Sequence, residues 1–313
     1  MAADVVAQHD PADLAARART GGLKDLPGVG DVTATVIAEA AAGQIPTYLQ
    51  RLEDERARLV DLDDAGRRML ASLRGDLHSH SDWSDGGSPI EEMAVTGVEL
   101  GHEYLALTDH SPRLKVANGL TAERLSRQLG VVAGLRERLE PFRLLTGIEV
   151  DILDDGSLDQ TPQMLGQLDV VVASVHSKLA MERSAMTRRM LTAIRDPHTD
   201  ILGHCTGRLV TGGRGTRKQS TFDAAAVFAE CAKRQVAVEI NCRPERQDPP
   251  DDLLTMAVEA GCLFSMDTDS HAPGQLDWRA FGVERAVRCG VPAERIVTTW
   301  PLDDLLAWTT RRR

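Results

Sequence analysis

The chain has 313 residues, 42% hydrophobic and 27% charged, enough to bury a large core as one big domain beside a small one. No apolar run reaches the roughly 18 residues of a membrane span, and MAADVVAQHDPADLAARA lacks the charged and apolar regions of a secretory leader. A formal charge of −11 argues against coating nucleic acid by bulk electrostatics.

Residues 1–50 read as helical. An Ala/Leu-rich stretch over Pro11–Ala18 is followed by Leu26-Pro27-Gly28-Val29-Gly30 and then by an Ala/Ile-rich stretch over Thr33–Ala42. Residues 51–74, RLEDERARLVDLDDAGRRMLASLR, form a charged helical connector and the expected domain boundary. From Gly75 short β-branched runs alternate with longer amphipathic stretches, the pattern of repeated β-α units on a parallel sheet. Strands are predicted at Gly75–His78, Tyr104–Thr108, Arg143–Val150, Asp169–Val175, Asp200–Gly203, Val236–Asn241 and Leu263–Met266. Helices are predicted over Ser88–Gly101, with Ser88 as N-cap and Pro89 first inside, and over Thr121–Leu139, Met186–Arg195, Phe222–Arg234 and Asp251–Ala260. Seven such strands close most economically into a (β/α) barrel over residues 75–313. Cys205, Cys231, Cys242, Cys262 and Cys289 are odd in number and without CxxC spacing, which fits reduced thiols in a cytoplasmic protein.

Polar residues gather where the predicted strands end. His78 and His80 follow the first, Asp109 and His110 the second, and Glu149, His176 and His204 end the next three; Asp269 and His271 follow the seventh. In barrels of this kind the carboxyl ends of the strands carry the chemistry. A single histidine is more often a hydrogen-bonded core residue, but a whole constellation arriving at one rim is not explained that way. Imidazole with carboxylate suits Zn, Mn or Fe. His-x-His on an extended segment turns both rings to one face, and Asp269-Ser270-His271 is expected to repeat that geometry. The donors are too many for one tetrahedral ion, so a cluster is implied, the usual device for phosphoryl hydrolysis. About three divalent ions would also offset much of the negative charge.

Cations are expected beside the phosphate. Lys178 follows His176 by two residues and Arg208 follows His204 by four, so both are candidate catalytic and substrate-binding groups. GRLVTGGRGTRKQS carries Arg208, Arg214, Arg217 and Lys218 without an acid and reads either as a substrate-facing lip or as a solvated loop. Glu239, Asn241, Arg243, Glu245 and Arg246 are further candidates for substrate contact. His9, His102 and His198 have no motif context.

The segments DLHSHSDWSDG, ALTDHS, GIEVDI, SVHSK, GHCTGR and DTDSHAP together resemble the PHP (polymerase and histidinol phosphatase) domain, most of all the form at the C-terminus of bacterial family X DNA polymerases. The resemblance covers about three quarters of the chain. It implies a distorted seven-stranded, TIM-like barrel and phosphoester hydrolysis with three Mn or Zn ions. By the family pattern, His78, His80, Glu149 and Asp269 hold one metal, and Glu149 bridges to a second held with His176 and His204. Asp85, His110 and His271 hold the third.

The N-terminal segment resembles the helix-hairpin-helix that precedes the polymerase core in those enzymes. Its Gly28 and Gly30 would expose backbone N–H groups to a DNA phosphate. Two features run against that role: Asp31 follows Gly30, and residues 1–50 hold six acids against three bases. Residues 51–74 leave no room for a polymerase palm and fingers before the barrel. Three functions are consistent with these observations: a phosphoesterase acting on DNA 3′ ends, a small-metabolite phosphomonoesterase such as histidinol-phosphate phosphatase, and a non-catalytic accessory domain. An intact ligand set disfavours the last. The DNA reading makes DNA a partner through the hairpin and through Arg214 and Arg217. Oligomeric state is not legible.

Overall fold

The computed structural model describes residues 2–49, 60–212 and 215–311. The chain divides into two compact units, Met1–Asp61 and Leu62–Arg313. In the first, α1 (Ala2–Ala7), α2 (Pro11–Thr20) and α3 (Asp31–Ala41) are held by a small core of Leu14, Leu23, Leu26, Val29 and Ala34. Asp10 starts α2 by accepting from Ala12 N at 2.7 Å, and Gly21 ends it in the left-handed region at φ 76°. Leu26 and Val29 face inward from the Leu26–Gly30 turn, Gly28 takes φ 77°, and Gly30 opens α3 without a side-chain cap.

The second unit begins with α4 (Asp64–Ser72), so the end of the predicted connector belongs with the barrel. Residues 51–59, the first part of that connector, lie outside the described residues, as does residue 50. Seven parallel strands follow in chain order: β1 (Gly75–Ser79), β2 (Tyr104–Leu107), β3 (Arg143–Asp151), β4 (Val170–Ser174), β5 (Ile201–Leu202), β6 (Ala237–Asn241) and β7 (Leu263–Asp267). Between and after them lie α5 (Ile90–Glu99), α6 (Ala122–Leu139), α7 (Pro162–Leu165), α8 (Arg183–Arg195), α9 (Ala224–Arg234), α10 (Asp251–Glu259), α11 (Arg279–Arg288) and α12 (Leu302–Thr310). The predicted strands and helices are all present, with ends that match or are shifted by at most three residues. At α5 the cap is Pro89 itself, one residue later than predicted, with no side-chain hydrogen bond.

Alternation along the strands makes two layers. Leu77, Tyr104, Ala106, Leu145, Val170, Val172, Ile201 and Ala237 fill the interior, joined by Leu305 and Trp308 of α12. Leu105, Leu107 and Leu144 face outward onto Ile90 and Met93 of α5 and Val132 and Leu135 of α6. Each large apolar side chain so buried contributes about 1.5–3 kcal/mol. The barrel closes irregularly between β1 and β7. The backbone pairing there is a bridge from Ser79 to Ser270, with His80 N donating to Ser270 O at 2.8 Å. Two buried carboxylates complete the seam: Leu77 N donates to Asp267 Oδ1 at 2.8 Å and Thr268 N to Asp76 Oδ2 at 2.9 Å. Burial pushes the Asp76 carboxyl up to about 6 despite hydrogen bonds from Thr268 and from His78 N. The fold is thus a distorted seven-stranded (β/α) barrel. No described helix is long and apolar enough to cross a membrane.

Candidate metal centre

Glu149 lies near the end of β3, almost fully buried, with five imidazoles around its carboxylate. Oε1 is 2.8 Å from His204 Nε2 and 3.1 Å from His176 Nε2. Oε2 is 2.9 Å from His110 Nδ1, 3.3 Å from His78 Nε2 and 3.5 Å from His80 Nε2. Burial opposes ionisation of Glu149, but His176, His78, His110 and His204 outweigh it and hold the carboxyl well below the usual range. His78 reaches this centre although its neighbour Leu77 packs into the interior, because the β1–β2 register shifts between Asp76 and Ser79.

A second focus lies across His80 and His110. Asp85 Oδ1 is 3.4 Å from both His110 Nε2 and His271 Nε2, and the His80 ring lies 4.2 Å from that of His271. Asp85 is placed by a tight loop: Gly86 N donates to Ser81 O at 2.9 Å, and a Cβ on Gly86 would meet the Ser81 backbone at 2.6 Å. Asp109 anchors the same loop, accepting from Ser81 N, Ser81 Oγ, Ser84 Oγ and Gln128 Nε2. Asp269 Oδ1 stands 3.5 Å from His80 Nε2. Asp269 does not repeat the His-x-His geometry, however: β7 ends at Asp267, and Asp269 takes φ 51° in the left-handed region. It reaches the site through that turn rather than along an extended strand.

All nine predicted ligand residues therefore converge. Among the described residues three donor groups are close enough for an ion: His80, Asp85, His110 and His271; His78, His80 and Glu149; His110, Glu149 and His176. Their make-up differs from the family pattern, with His110 in the place expected for His204 and with Asp269 outside the groups. His78 Nε2, both nitrogens of His80, His110 Nδ1, His176 Nε2 and Glu149 Oε2 are buried without a hydrogen-bond partner among the described residues. Orphaned donors packed around a carboxylate fit divalent cations, and the nitrogen–oxygen chemistry suits Zn or Mn.

Two further carboxylates stand behind the rings. His78 Nδ1 donates to Glu239 Oε1 at 2.5 Å and His176 Nδ1 to Asp151 Oδ1 at 2.6 Å, which leaves each Nε2 facing Glu149. Glu239 also accepts from His204 N, so it orients ligands rather than meeting substrate as expected from its position. Asp151 drew no notice in the sequence; its place two residues beyond Glu149 on the same face of β3 was the available signal.

The cations are placed unevenly. Arg246 is buried, its Nε donating to Asp269 Oδ2 at 2.8 Å, and its Nη1 is buried without a partner among the described residues. Despite the burial of Asp269, Arg246 holds its carboxyl well below the usual range. Arg243 Nη1 donates to Asp269 O at 2.9 Å. Lys178 is 63% exposed and paired with Asp154 at 2.5 Å. Arg208, expected at the phosphate, instead directs Nε to the carbonyls of Arg246 and Gln247, each at 3.0 Å. In the basic loop Leu209 and Arg217 pair backbone to backbone, and Arg217 Nε donates to Gly207 O at 2.6 Å, fastening the loop to itself. Arg214 lies outside the described residues. In the N-terminal unit Asp31 pairs with Lys24 at the start of α3, beside Gly28 and Gly30.

A family model described as PHP domain matches residues 76–243. A DNA polymerase/3′-5′ exonuclease of Bacillus subtilis is 38% identical over 242 residues, 77% of this chain and 42% of that protein. A probable phosphatase of Photobacterium profundum is 30% identical over 206 residues, 63% of this chain and 77% of that protein. The chain spans about half the length of the first curated relatives it matches. A crystal structure of histidinol phosphate phosphatase from Lactococcus lactis, complexed with zinc, L-histidinol and phosphate, aligns at TM-score 0.48 and 18% identity, over 69% of this chain and 92% of that one.

Proposed function

This chain belongs to the PHP domain family, and on that premise we propose that it is a metal-dependent phosphoesterase acting on DNA 3′ ends, as a 3′-5′ exonuclease or 3′-phosphatase. The observation that carries the phosphoesterase reading is the gathering of metal-type side chains at Glu149, seven of them in three ion-sized groups, with inward nitrogens of His78, His80, His110 and His176 unpartnered among the described residues. These residues would hold three divalent ions, Mn or Zn, which would supply the Lewis acidity to acidify a water and polarise the phosphate. The chain's own residues do the rest. Glu239 and Asp151 fix the tautomers and directions of His78 and His176. Arg246, with Nη1 unpartnered beside Asp269, is the fixed cation for a phosphate oxygen. Lys178 is the mobile one, exchanging Asp154 for the incoming phosphate. Arg208 keeps Arg246 in place by holding its carbonyl.

DNA as substrate is supported by the likeness to a protein named as a 3′-5′ exonuclease over most of this chain, and by the helix pair around the Leu26–Gly30 turn, where Gly28 and Gly30 offer backbone N–H groups to a phosphate. A second reading, a phosphatase for small phosphomonoesters, is favoured by the likeness to a probable phosphatase and by the −11 charge. The deciding experiment measures turnover with Mn of a 3′-labelled oligonucleotide, p-nitrophenyl phosphate and histidinol phosphate. Turnover of the oligonucleotide that exceeds the others supports the DNA reading. Efficient hydrolysis of histidinol phosphate with an inert oligonucleotide overturns it.

A further inference from the structure

Helix α8 buries Met186, Met190, Ala193 and Ile194 on one face, and Arg189 lies among them at 1% exposure. A guanidinium on the apolar side of an amphipathic helix is costly unless its donors are satisfied. Here they are, almost wholly by backbone. Nε donates to Ile152 O at 3.1 Å and Leu153 O at 2.9 Å, Nη1 to Ser177 O at 2.9 Å, and Nη2 to Ile152 O and to Ser177 Oγ. The nearest carboxylate, Asp154, is 4.0 Å away. The acceptors belong to two segments only. Ile152 and Leu153 directly follow Asp151 at the end of β3, and Ser177 directly follows His176 beyond β4. Those are the two residues joined by the 2.6 Å hydrogen bond that aims His176 at Glu149. The fit is tight on the helix side as well: Gly156, at φ 90°, has room for no side chain, since a Cβ there would meet Arg189 O at 2.6 Å.

We propose that Arg189 is a positioning residue for the metal centre: it locks the β3 and β4 loop starts together, and so sets the Asp151–His176 pair that presents Nε2 to the ion held by His110, Glu149 and His176. The inference rests on the metal-centre reading above and reaches beyond it, because Arg189 touches neither a ligand atom nor substrate. A long cation that only neutralised charge would be replaceable by lysine. A forked donor that ties two strands is not.

The test measures Zn binding to the purified full chain by competition with a chromophoric chelator. The variants are Arg189→Met, Arg189→Lys, Asp151→Asn and the double variants. Arg189→Met should weaken one Zn equivalent by about 10–100-fold, the range for removing a group behind a ligand, and leave the other equivalents unchanged. Arg189→Lys should fall between. Combined with Asp151→Asn, neither should add the full separate loss, because both act through His176. If the methionine variant fails to fold, the lysine variant and its cycle with Asp151→Asn decide the matter alone. Wild-type Zn affinities in the variants, with only a lowered melting temperature, would overturn the proposal, and so would full additivity. Wild-type protein that binds no Zn would overturn the metal-centre reading and this inference with it.

Discussion

His176 and Lys178 are two residues apart, yet the structure treats them in opposite ways. The His176 ring is gripped by Asp151 and faces a buried carboxylate; the Lys178 side chain stands 63% exposed and leans on an aspartate that is itself in solvent. The same contrast runs through the whole rim. Around Glu149 the donors have little freedom, since the carboxylates behind them are as buried as they are. Outside, Lys178 is held by an ion pair that water can replace. Surface pairs of this kind contribute about 0–1 kcal/mol, so a substrate phosphate can compete for them. Preorganisation belongs to the metal donors and adaptability to the outer cations. Arg246 lies between the two, a cation buried against Asp269.

The largest test of this division is at the donors. His80→Ala or Asp269→Ala should cost far more than tenfold in kcat, that is, more than about 1.4 kcal/mol in barrier, with an unchanged far-UV circular dichroism spectrum. Retention of a tenth of the activity would remove either residue from the metal set. Next in size is stability. Chelation should lower the melting temperature, because an ion at a hundred times its Kd stabilises the folded state by about 2.7 kcal/mol. The gain from added Zn or Mn should shrink as pH falls, since protonated imidazoles cannot ligate. Metal analysis should return about three equivalents per chain, one for each donor group among the described residues; one or fewer, with no gain on adding Mn or Zn, defeats the cluster.

Glu239→Gln probes the layer behind the donors and should weaken metal binding by about 10–100-fold, read by chelator competition; an effect on KM with metal binding intact would return Glu239 to the role of substrate contact. Lys178→Ala should be milder, raising KM for p-nitrophenyl phosphate several-fold with kcat little changed, as expected for a contact made equally in ground and transition states. A kcat loss as large as that of the His80 variant would erase the contrast between donor and rim. The smallest effect is expected from Arg217→Ala. If DNA is the substrate, the log–log salt dependence of KM for an oligonucleotide should flatten by about 0.7–0.9 for one phosphate contact, while the small ester is unaffected. An unchanged slope leaves the loop as a self-fastened surface element.

What the residue pattern could determine by itself was the order and kind of the elements and the place of the donors. Strands buried on both faces read as short β-branched runs, and histidines at their ends stood out because such residues seldom cluster for packing reasons. Period-two alternation also made His78 and His80 legible as a pair. It failed at Asp269, where a left-handed residue beyond the strand end does the turning, and local sequence carries no sign of a turn that only the β1–β7 seam requires. The partners of buried charges were the least legible. Glu239, Asp151 and Arg189 meet their histidines and carbonyls across strands and helices distant in sequence, and a guanidinium's choice between a phosphate and a neighbouring carbonyl, as at Arg208, depends on which acceptor the fold brings within 3 Å. Spacing along the chain places a side chain at an end of the barrel. Only the packed structure decides which of its polar atoms are already satisfied and which remain for chemistry.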